Sequence, residues 1–488
     1  MKRGKGYMEN ILTPSCIFKV LDADATVPAA LNPGGLGEFL SGAAAKIGLK
    51  LSNDGIKVNV NRLYDGYGEI DITERHLTIN AENREAELLA LGYLRQLSAY
   101  YEERLPICSI RFEKPDQGYR GIHLDCSRHF FSTKEIKRLL SVFAVLGFNI
   151  FHWHLTDDQG WRFPVEGYPL LEKIASKRVD PEYDDGRVEE GFYSVEDLKD
   201  IVGYAEALGI TVIPEIELPG HATALLTAYP EFGCTGKKLS VPKKWGVFED
   251  VMNPTSEKLW IFIDKAIKTL AEIFPGPYIH IGGDECPHIQ WETHEGCQEI
   301  MKDNGLKTTM ELQGWFTTKV ARIVSSYGKR AMGWDEIVDA PEIDRNVIIM
   351  SWRGLEGARK ATSRGHQVIL CPEAGGGCYF DRHQSTDDWE PGNLTVSPLK
   401  CVYDLDFNMK ELKPEERALI LGGQGNMWTE KLRFGRLVEY MYFPRAFALA
   451  ENLWRGDERN WEEFLDRRKA IFRILVDLDM AFSTASWS

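Results

Sequence analysis

Short β-rich runs alternate with amphipathic helical segments along most of the chain after residue 118. Eight runs of apolar and β-branched residues are the predicted strands, and segments with helical periodicity separate most of them. Strands that alternate with helices form a parallel sheet, and eight is the number that closes a (β/α)8 barrel. We therefore predict an α/β protein with a barrel whose strands are residues 121–126, 149–155, 211–216, 278–281, 330–334, 347–352, 367–370 and 418–422.

One interval in this pattern is irregular. Helical periodicity covers residues 133–145, 194–208, 256–273, 307–326 and 437–451, but residues 335–346 leave little room for a full helix. An open, doubly wound parallel sheet is therefore the alternative architecture.

The first 115 residues have their own pattern and predict a small α+β domain. An amphipathic helix is expected at residues 35–48 and a second one at residues 84–100. Strands are expected at residues 56–60, 67–72, 76–81 and 108–112. No cluster of carboxylates, histidines or glycines here suggests chemistry. We expect residues 1–115 to be a structural domain and residues 116–488 to be the barrel with a C-terminal helical extension.

Composition and charge exclude several classes of function. The chain has 488 residues, of which 43% are hydrophobic and 11% aromatic, which supports a large core and excludes a disordered protein. The net charge of −15 and the pI near 5.4 argue against nucleic acid and anionic membranes as partners. The oligomeric state cannot be predicted from these properties.

The cysteines and the N-terminus bear on the compartment. Nine cysteines at irregular spacing, with no CxxC pair, indicate free thiols in a reducing compartment. The basic segment Met1–Tyr7 is followed by no long apolar run, so we expect no signal peptide. No run of eighteen apolar residues predicts a membrane span, and we expect a cytoplasmic protein.

The segment His280–Pro287 contains two adjacent carboxylates, Asp284 and Glu285, directly after two glycines. Neighbouring side chains on a regular strand point to opposite faces of the sheet. The two carboxylates can therefore face one ligand only if the backbone leaves strand geometry at the glycines, which glycine permits. An exposed acidic loop is the alternative interpretation.

Polar and aromatic clusters follow the carboxyl ends of the predicted strands. After the short run at 367–370, the cluster Tyr379 to Asp381 stands further along the chain than after the other strands. Catalytic sites of (β/α)8 barrels lie at that end of the barrel. The clusters are at residues 125–129, 154–162, 215–221, 280–287, 334–336, 352–353, 379–381 and 428–430.

Four of these segments together resemble the successive motifs of glycoside hydrolase family 20, the β-N-acetylhexosaminidases. They are residues 119–131 (YRGIHLDCSRHFF), 152–162 (HWHLTDDQGWR), 214–221 (PEIELPGH) and 280–285 (HIGGDE). The resemblance spans about residues 50–455 and implies an N-terminal α/β domain ahead of a (β/α)8 barrel.

The resemblance also implies a reaction. Glu285 corresponds to the general acid/base, and Asp284 to the residue that orients and polarises the 2-acetamido group of the substrate. The acetamido oxygen is the nucleophile and forms an oxazolinium intermediate, so no enzyme nucleophile is required. Asp157 and His221 resemble the pair that supports the acid.

Further residues resemble those that bind the terminal sugar. Arg120 is expected to fork onto the 3- and 4-hydroxyls, because a planar guanidinium suits two neighbouring oxygens. Tyr379 is expected to bind the acetamide oxygen. Arg128, His129, Asp158, Arg162 and Glu215 are expected to be structural. The aromatic walls would be Trp334, Trp352 and Trp428, and the acceptors for the 4- and 6-hydroxyls would be Asp381 and Glu430.

The expected protein is a retaining exo-β-N-acetylhexosaminidase that acts on glycans or amino-sugar glycosides without a metal or other cofactor. One alternative is a barrel lyase that binds magnesium through Asp284, Glu285 and Glu217. Another is a catalytically silent protein that binds amino sugars. His152 and His154 share one strand face, but no third ligand has a spacing that fits a metal site. The preference for GlcNAc or GalNAc, the aglycone and release of a disaccharide stay open.

Overall fold

The computed structural model describes residues 16–179, 186–373, 377–386 and 390–484. The segment Met1–Tyr7, on which the signal-peptide prediction depends, lies outside them. Within the described residues, no helix combines the length and the apolar composition that a membrane crossing requires.

The N-terminal part of the chain folds as a five-stranded sheet covered by two helices. The helices are Gly37–Lys46 and Arg84–Tyr100. The strand order is β1-β5-β3-β4-β2, and the hairpin expected between residues 67 and 81 is present. The strands are β1 (Cys16–Pro28), β2 (Lys57–Arg62), β3 (Gly68–Ile72), β4 (His76–Ala81) and β5 (Arg104–Phe112).

Sequence analysis missed strand β1. It pairs antiparallel with β5 at the edge of the sheet, and its register shifts between Val20 and Asp22 and again between Asp22 and Thr26. Such irregularities break the alternation of apolar and polar positions that identifies a strand.

The barrel is closed, which confirms the predicted architecture against the open sheet. All eight predicted strands are present within a few residues of their expected bounds. Their order around the barrel follows the chain. The strands are β6 (Tyr119–Asp125), β7 (Ile150–His154), β8 (Thr211–Glu215), β9 (Tyr278–His280), β10 (Arg330–Trp334), β11 (Ile348–Ser351), β12 (Val368–Leu370) and β13 (Ile420–Gly425).

Several helices of the barrel begin at residues whose side chains accept hydrogen bonds from the free backbone N–H groups of the first turn. Ser132, Ser194 and Thr308 each form a capping box at the start of a helix. The irregular interval between β10 and β11 holds a short 3-10 helix, Asp335–Asp339, where no full helix fits. The main helices between the strands are Thr133–Val145, Val195–Glu206, Glu257–Ile273, Thr309–Ser326 and Glu356–Ser363.

Shorter elements occupy the loops, and helices complete the C-terminal part. The helix expected at residues 437–451 is divided in two at Phe443 and Pro444, because proline cannot continue a helix from within. The C-terminal helices are Gly435–Tyr442, Arg445–Arg455, Trp461–Asp466 and Arg468–Asp477. The loop helices are Thr223–Ala228, Ile289–Thr293, Glu295–Asp303, Leu399–Asp404 and Pro414–Arg417.

The N-terminal sheet ends at Phe112 and the first barrel strand begins at Tyr119. The helices Arg84–Tyr100 and Arg468–Asp477 pack on each other, and Arg95 forms an ion pair of 3.1 Å with Asp477. The first and last parts of the chain are thus in contact, and a domain division near residue 115 stays a prediction.

Candidate active site

The loop after β9 brings the two adjacent carboxylates to one side. The strand ends at His280, and Gly282 and Gly283 have φ angles of 66° and 100°. Glu285 also has a positive φ of 42°. A β-carbon on Gly282 would lie 1.9 Å from Glu217 Oε2, so only glycine fits there. The backbone therefore leaves strand geometry where the sequence predicted it must.

Asp284 and Glu285 meet at the imidazole of His221. His221 Nε2 lies 3.6 Å from Asp284 Oδ2 and 3.4 Å from Glu285 Oε2. Burial raises the pKa of Asp284 above its ordinary value. The hydrogen bond from His221 holds the pKa of Glu285 below its ordinary value, and this side chain is 43% exposed. Two adjacent acids thus differ in environment, since Asp284 is enclosed and Glu285 is partly exposed.

The other ring nitrogen of His221 faces the pair Asp157 and Asp158. His221 Nδ1 is 2.9 Å from Asp158 Oδ2 and 3.3 Å from Asp157 Oδ1. Burial lowers the pKa of His221, but Asp157 and Asp284 outweigh it and hold this pKa well above the ordinary value. Asp158 was expected only to hold a loop, whereas it is the nearer hydrogen-bond partner of His221. The signal was present, because both carboxylates follow the carboxyl end of β7.

Arg120 does not reach this site, and its predicted role is wrong. It is the second residue of β6, at the amino end of the barrel, and it is buried. Its guanidinium forms an ion pair of 2.7 Å with Glu85 and donates to the carbonyl oxygens of Gly147 and Gln117. A side chain at the amino end of a barrel strand cannot reach a pocket at the carboxyl end.

Arg128 lies where the sequence analysis expected Arg120. It follows the carboxyl end of β6, and its Nη2 is 2.9 Å from Asp157 Oδ2. Its guanidinium lies over the ring of Trp428 at 5.1 Å, and Nη1 is 3.9 Å from Glu430 Oε1. Asp125 accepts the backbone N–H of Arg128 at 3.0 Å and its Nη1 at 3.2 Å. Arg128 therefore connects the support of the acid to the wall of the pocket.

Four aromatic side chains that the resemblance assigned to the sugar pocket lie side by side. Trp334 and Trp428 have ring centroids 5.8 Å apart, and Tyr379 lies 6.3 Å from Trp428. Trp352 stacks on Tyr379 at 5.9 Å with an angle of 17°. Aromatic faces of this kind suit the apolar C–H face of a sugar. The end of β10 and the loops after β11, β12 and β13 thus combine into one wall.

Asp381 and Glu430, the expected hydroxyl acceptors, interact electrostatically, and Glu430 lies near Arg128. Asn393 Nδ2 donates to Asp381 Oδ2 at 2.5 Å, and Arg382 forms an ion pair with the same oxygen. Burial raises the pKa of Asp381 to about 7, and Glu430 adds to this effect. Burial also raises the pKa of Glu430, and Arg128 opposes the rise.

Two further acids near the catalytic loop received no role in the sugar site from the sequence, although Glu217 was considered as a magnesium ligand. Trp352 Nε1 donates to Glu336 Oε2 at 2.8 Å, and burial followed by the nearby Asp284 raises the pKa of Glu336 to about 9. Glu217 lies under Gly282, and burial followed by Asp284 holds its pKa well above the ordinary value. Both acids follow strand ends, which is the positional signal that could have identified them.

The donor geometry does not suit the magnesium site considered as an alternative. Among the described residues, the sets of three side chains that could hold an ion each contain a histidine, whereas magnesium prefers oxygen ligands. His154 and His221 have raised pKa values, so their protonated nitrogens offer no lone pair. The sets are His123, His152 and Glu215; His154, Glu215 and Glu217; Asp157, Asp158 and His221; and His221, Asp284 and Glu285.

Comparisons with known proteins agree with this geometry. Residues 118–457 match the family model described as the catalytic domain of glycosyl hydrolase family 20. The chain is 40% identical over 369 residues to a β-hexosaminidase of Porphyromonas gingivalis, which covers 75% of this chain and 47% of the relative. It is 34% identical over 414 residues to a β-hexosaminidase of Akkermansia muciniphila, covering 83% of this chain and 82% of the relative.

A solved structure supports the same assignment. A GH20 exo-β-N-acetylglucosaminidase of Vibrio harveyi in complex with N-acetylglucosamine superposes with a TM-score of 0.85 at 29% identity, covering 98% of this chain and 79% of that one. The chain spans about half the length of the Porphyromonas gingivalis relative, at 47%. From the extent of the family match and the identity to these relatives, the chain belongs to glycosyl hydrolase family 20.

Proposed function

We propose that this protein is a retaining exo-β-N-acetylhexosaminidase that removes terminal β-linked GlcNAc or GalNAc with the substrate's acetamido group as nucleophile. The observation that carries the proposal is the convergence of Asp284 and Glu285 on one nitrogen of His221. An ordinary glycosidase needs two carboxylates that flank the scissile bond. Two carboxylates on the same side of the pocket suit a different arrangement, in which one is the general acid and the other contacts the acetamido group.

Glu285 is the proposed general acid, and it later acts as base toward water. Its exposed carboxyl faces the open pocket, where a glycosidic oxygen can approach. The hydrogen bond from His221 holds its pKa down in the free protein. A bound sugar displaces water from this side chain, and desolvation raises the pKa of a carboxyl toward the working range of an acid.

Asp284 is the proposed partner of the acetamide nitrogen. Positive charge develops on that nitrogen as the acetamido oxygen attacks the anomeric carbon. A buried carboxylate stabilises this charge more strongly than an exposed one, because screening by water is weak. His221 contacts both Asp284 and Glu285, and the two carboxyls keep different roles.

Arg128 takes the proposed place of Arg120 in binding the sugar hydroxyls. Its guanidinium lies against Trp428 and near Glu430, so a sugar on that wall would meet both a fork of donors and an acceptor. The remaining proposed roles follow the resemblance. Tyr379 would bind the acetamide oxygen, Asp381 and Glu430 the 4- and 6-hydroxyls, and Trp334, Trp352 and Trp428 would form the walls.

The names of similar proteins support this activity. The relatives from Porphyromonas gingivalis and Akkermansia muciniphila are named β-hexosaminidases, and the Vibrio harveyi structure holds N-acetylglucosamine. The predicted reducing compartment stays a prediction, with Cys126, Cys297, Cys371 and Cys378 as buried free thiols.

The test compares 4-nitrophenyl β-N-acetylglucosaminide with the matching β-glucoside, which has a hydroxyl at position 2. We expect hydrolysis of the first, negligible hydrolysis of the second and full activity in EDTA. NMR should detect the β-anomer as the first product, since two inversions retain configuration. Equal hydrolysis of both substrates, or the α-anomer first, would overturn the mechanism. Loss of activity in EDTA would favour the magnesium lyase, and binding without turnover would favour a silent sugar-binding protein.

A further inference from the structure

His154 lies between two buried carboxylates below the active site. It is the last residue of β7 and is fully buried. Its Nδ1 forms a short hydrogen bond with Glu215 Oε2, and its Nε2 is 2.9 Å from Asp157 Oδ2. A neutral imidazole carries one N–H and can donate to only one of them. If both carboxylates are ionised, this geometry requires a second proton on the ring.

The groups around the ring favour that proton. Glu215 on β8, Asp125 on β6 and Asp157 beyond β7 all face the imidazole, and Glu217 Oε1 lies 4.0 Å from Nδ1. The neighbouring His123 has its pKa lowered by burial and is neutral near pH 7. Burial would lower the pKa of His154 too, but the carboxylates, Glu215 first, raise it to about 10.

Asp157 connects His154 to the active site through its contacts with Arg128 and His221. Its Oδ2 is shared by His154 and by Arg128 Nη2, each at 2.9 Å. Its Oδ1 accepts the backbone N–H of Asp158 at 2.6 Å and lies 3.3 Å from His221 Nδ1. Burial raises the pKa of Asp157, but Arg128 and His221 outweigh it and hold that pKa well below the ordinary value. One carboxylate therefore orients both Arg128 and His221.

We propose that His154 is a positioning residue, a permanent imidazolium that fixes the carboxylate of Asp157 and through it both Arg128 and His221. It does not touch the substrate. The inference rests on the proposed function for its consequence in catalysis, but its charge state is a separate property of the folded protein. Glu215 is its counter-ion, and the buried Glu215–His154–Asp157 series ties β7 and β8 to the pocket.

His152 provides a matched control. It lies two residues earlier on the same strand and face, is fully buried, and its Nε2 is 3.2 Å from the same Glu215 oxygen. Its Nδ1 lies 3.1 Å from Gln424 Nε2. Burial lowers its pKa to about 3, so its ring is neutral near pH 7. His152 shares with His154 its burial and its contact with Glu215, but it does not contact Asp157.

The first measurement uses the wild-type protein. Histidine ¹⁵N NMR of the folded chain should find both ring nitrogens of His154 protonated from pH 6 to 9, while His152 keeps one bare nitrogen. A bare nitrogen on His154 in this range would overturn the inference. The NMR measurement requires neither enzymatic activity nor a variant. It therefore decides the charge state of His154 even if the proposed function is wrong or His154→Gln does not fold.

The second measurement compares His154→Gln with His152→Gln. Loss of the imidazolium removes a positive neighbour from Asp157 and raises its pKa. Asp157 must be ionised to hold the His221 imidazolium, which in turn opposes the rise in the pKa of Asp284. The acidic limb of kcat/KM should therefore move to higher pH in His154→Gln only, with a loss of about 10- to 100-fold at the optimum. The limb should stay in place in His152→Gln. If the two variants have the same profile, His154 is only structural and the inference fails. A wild-type protein inactive on the N-acetylglucosaminide would instead refute the proposed function.

Discussion

The two ends of the barrel use the same residue type in opposite ways, and β6 carries both examples. Arg120 near the amino end is enclosed by Glu85, by two carbonyl oxygens and by the ring of Trp454 at 5.4 Å. Arg128 past the carboxyl end contacts Asp157 and Trp428 at the edge of the pocket. Eight positions along the chain, from the second residue of β6 to the loop past its end, separate an arginine that joins the barrel to the N-terminal helix from one that faces the candidate site.

The two arginines differ in where they lie and not in how many bonds they already make. Every nitrogen of the Arg120 guanidinium donates to the protein itself, and every nitrogen of the Arg128 guanidinium is likewise paired, with Gln159, Asp125 and Asp157. The plane of Arg128 nevertheless lies on an aromatic wall, and its Nη1 is 3.9 Å from Glu430. Position along the barrel therefore decides whether a buried arginine can also contribute to binding.

The largest expected effect comes from replacing Arg128. Arg128→Ala should lower kcat/KM by about 30-fold to several thousandfold, since it removes a desolvated, charge-assisted contact worth roughly 2–5 kcal/mol. Steady-state kinetics on the aryl N-acetylglucosaminide measures this. Arg120→Ala is the matched control and should keep kcat/KM near the wild-type value. Losses of equal size in both variants would end the distinction between the two ends.

Arg120 should matter for stability although it is not expected to matter for catalysis. Arg120→Ala leaves the carbonyl oxygens of Gly147 and Gln117 without their donor and removes the partner of Glu85. We expect a loss of about 1–3 kcal/mol in the free energy of unfolding, the usual scale for a hydrogen-bonded charged group. Arg128→Ala should also destabilise the protein, because it leaves the buried carboxylates of Asp125 and Asp157 without their cation. Urea unfolding of both variants measures this, and an unchanged free energy of unfolding in Arg120→Ala would contradict its structural role.

The carboxyl end should also determine the pH dependence, which His221→Gln tests. His221 holds the pKa of Glu285 below its ordinary value and opposes the rise in the pKa of Asp284. Replacing the imidazolium by a neutral amide raises both pKa values. Glu285 must be protonated and Asp284 ionised, so both limbs of kcat/KM should move to higher pH. A substrate with a poor leaving group is required, because activated aryl groups need less protonation.

The wild-type profile sharpens this expectation. Because the pKa of Glu285 in the free protein lies below the ordinary value, the alkaline limb of kcat/KM should begin at acidic pH. A limb that begins above pH 7 and does not move in His221→Gln would remove Glu285 from the acid role.

Much of the fold could be predicted because barrel strands are short apolar runs whose ends carry polar side chains. The strand Arg330–Trp334 and the helix Arg84–Tyr100 have the predicted bounds. Strand β1 was missed because its register shifts break the alternation that a pattern search detects. The bounds of regular strands and helices follow from local periodicity, whereas the irregular edge strand β1 forms because it pairs with β5.

Much of the candidate site could be located from sequence, but single roles could not. Asp284 and Glu285 were identified because the segment that contains them resembles a family motif, whereas adjacent acids after two glycines also fitted an exposed acidic loop. Arg120 was chosen over Arg128 although both lie in one motif, because the ends of β6 were not used to separate them. The preference of His221 for Asp158 over Asp157 depends on loop geometry across β7 and β8, which no spacing in the sequence encodes.

The smallest expected effect comes from a second matched pair, one tryptophan at each end. Trp352 stacks on Tyr379 and donates its indole N–H to Glu336 at 2.8 Å, whereas Trp454 lies under Arg120 at the amino end. Trp352→Phe keeps an aromatic face but loses that hydrogen bond, and we expect kcat/KM to fall by about three- to tenfold.

Trp454→Phe should leave kcat/KM unchanged, because its ring packs against Arg120 and Tyr93 at the amino end of the barrel. The same steady-state assay compares the two variants, and the free energy of unfolding checks that each is folded. If Trp352→Phe were silent while Trp454→Phe lowered kcat/KM, the amino end would communicate with the pocket. Arg120 would then have to act on the site through the strand that carries Asp125, and the separation of the two ends would no longer hold.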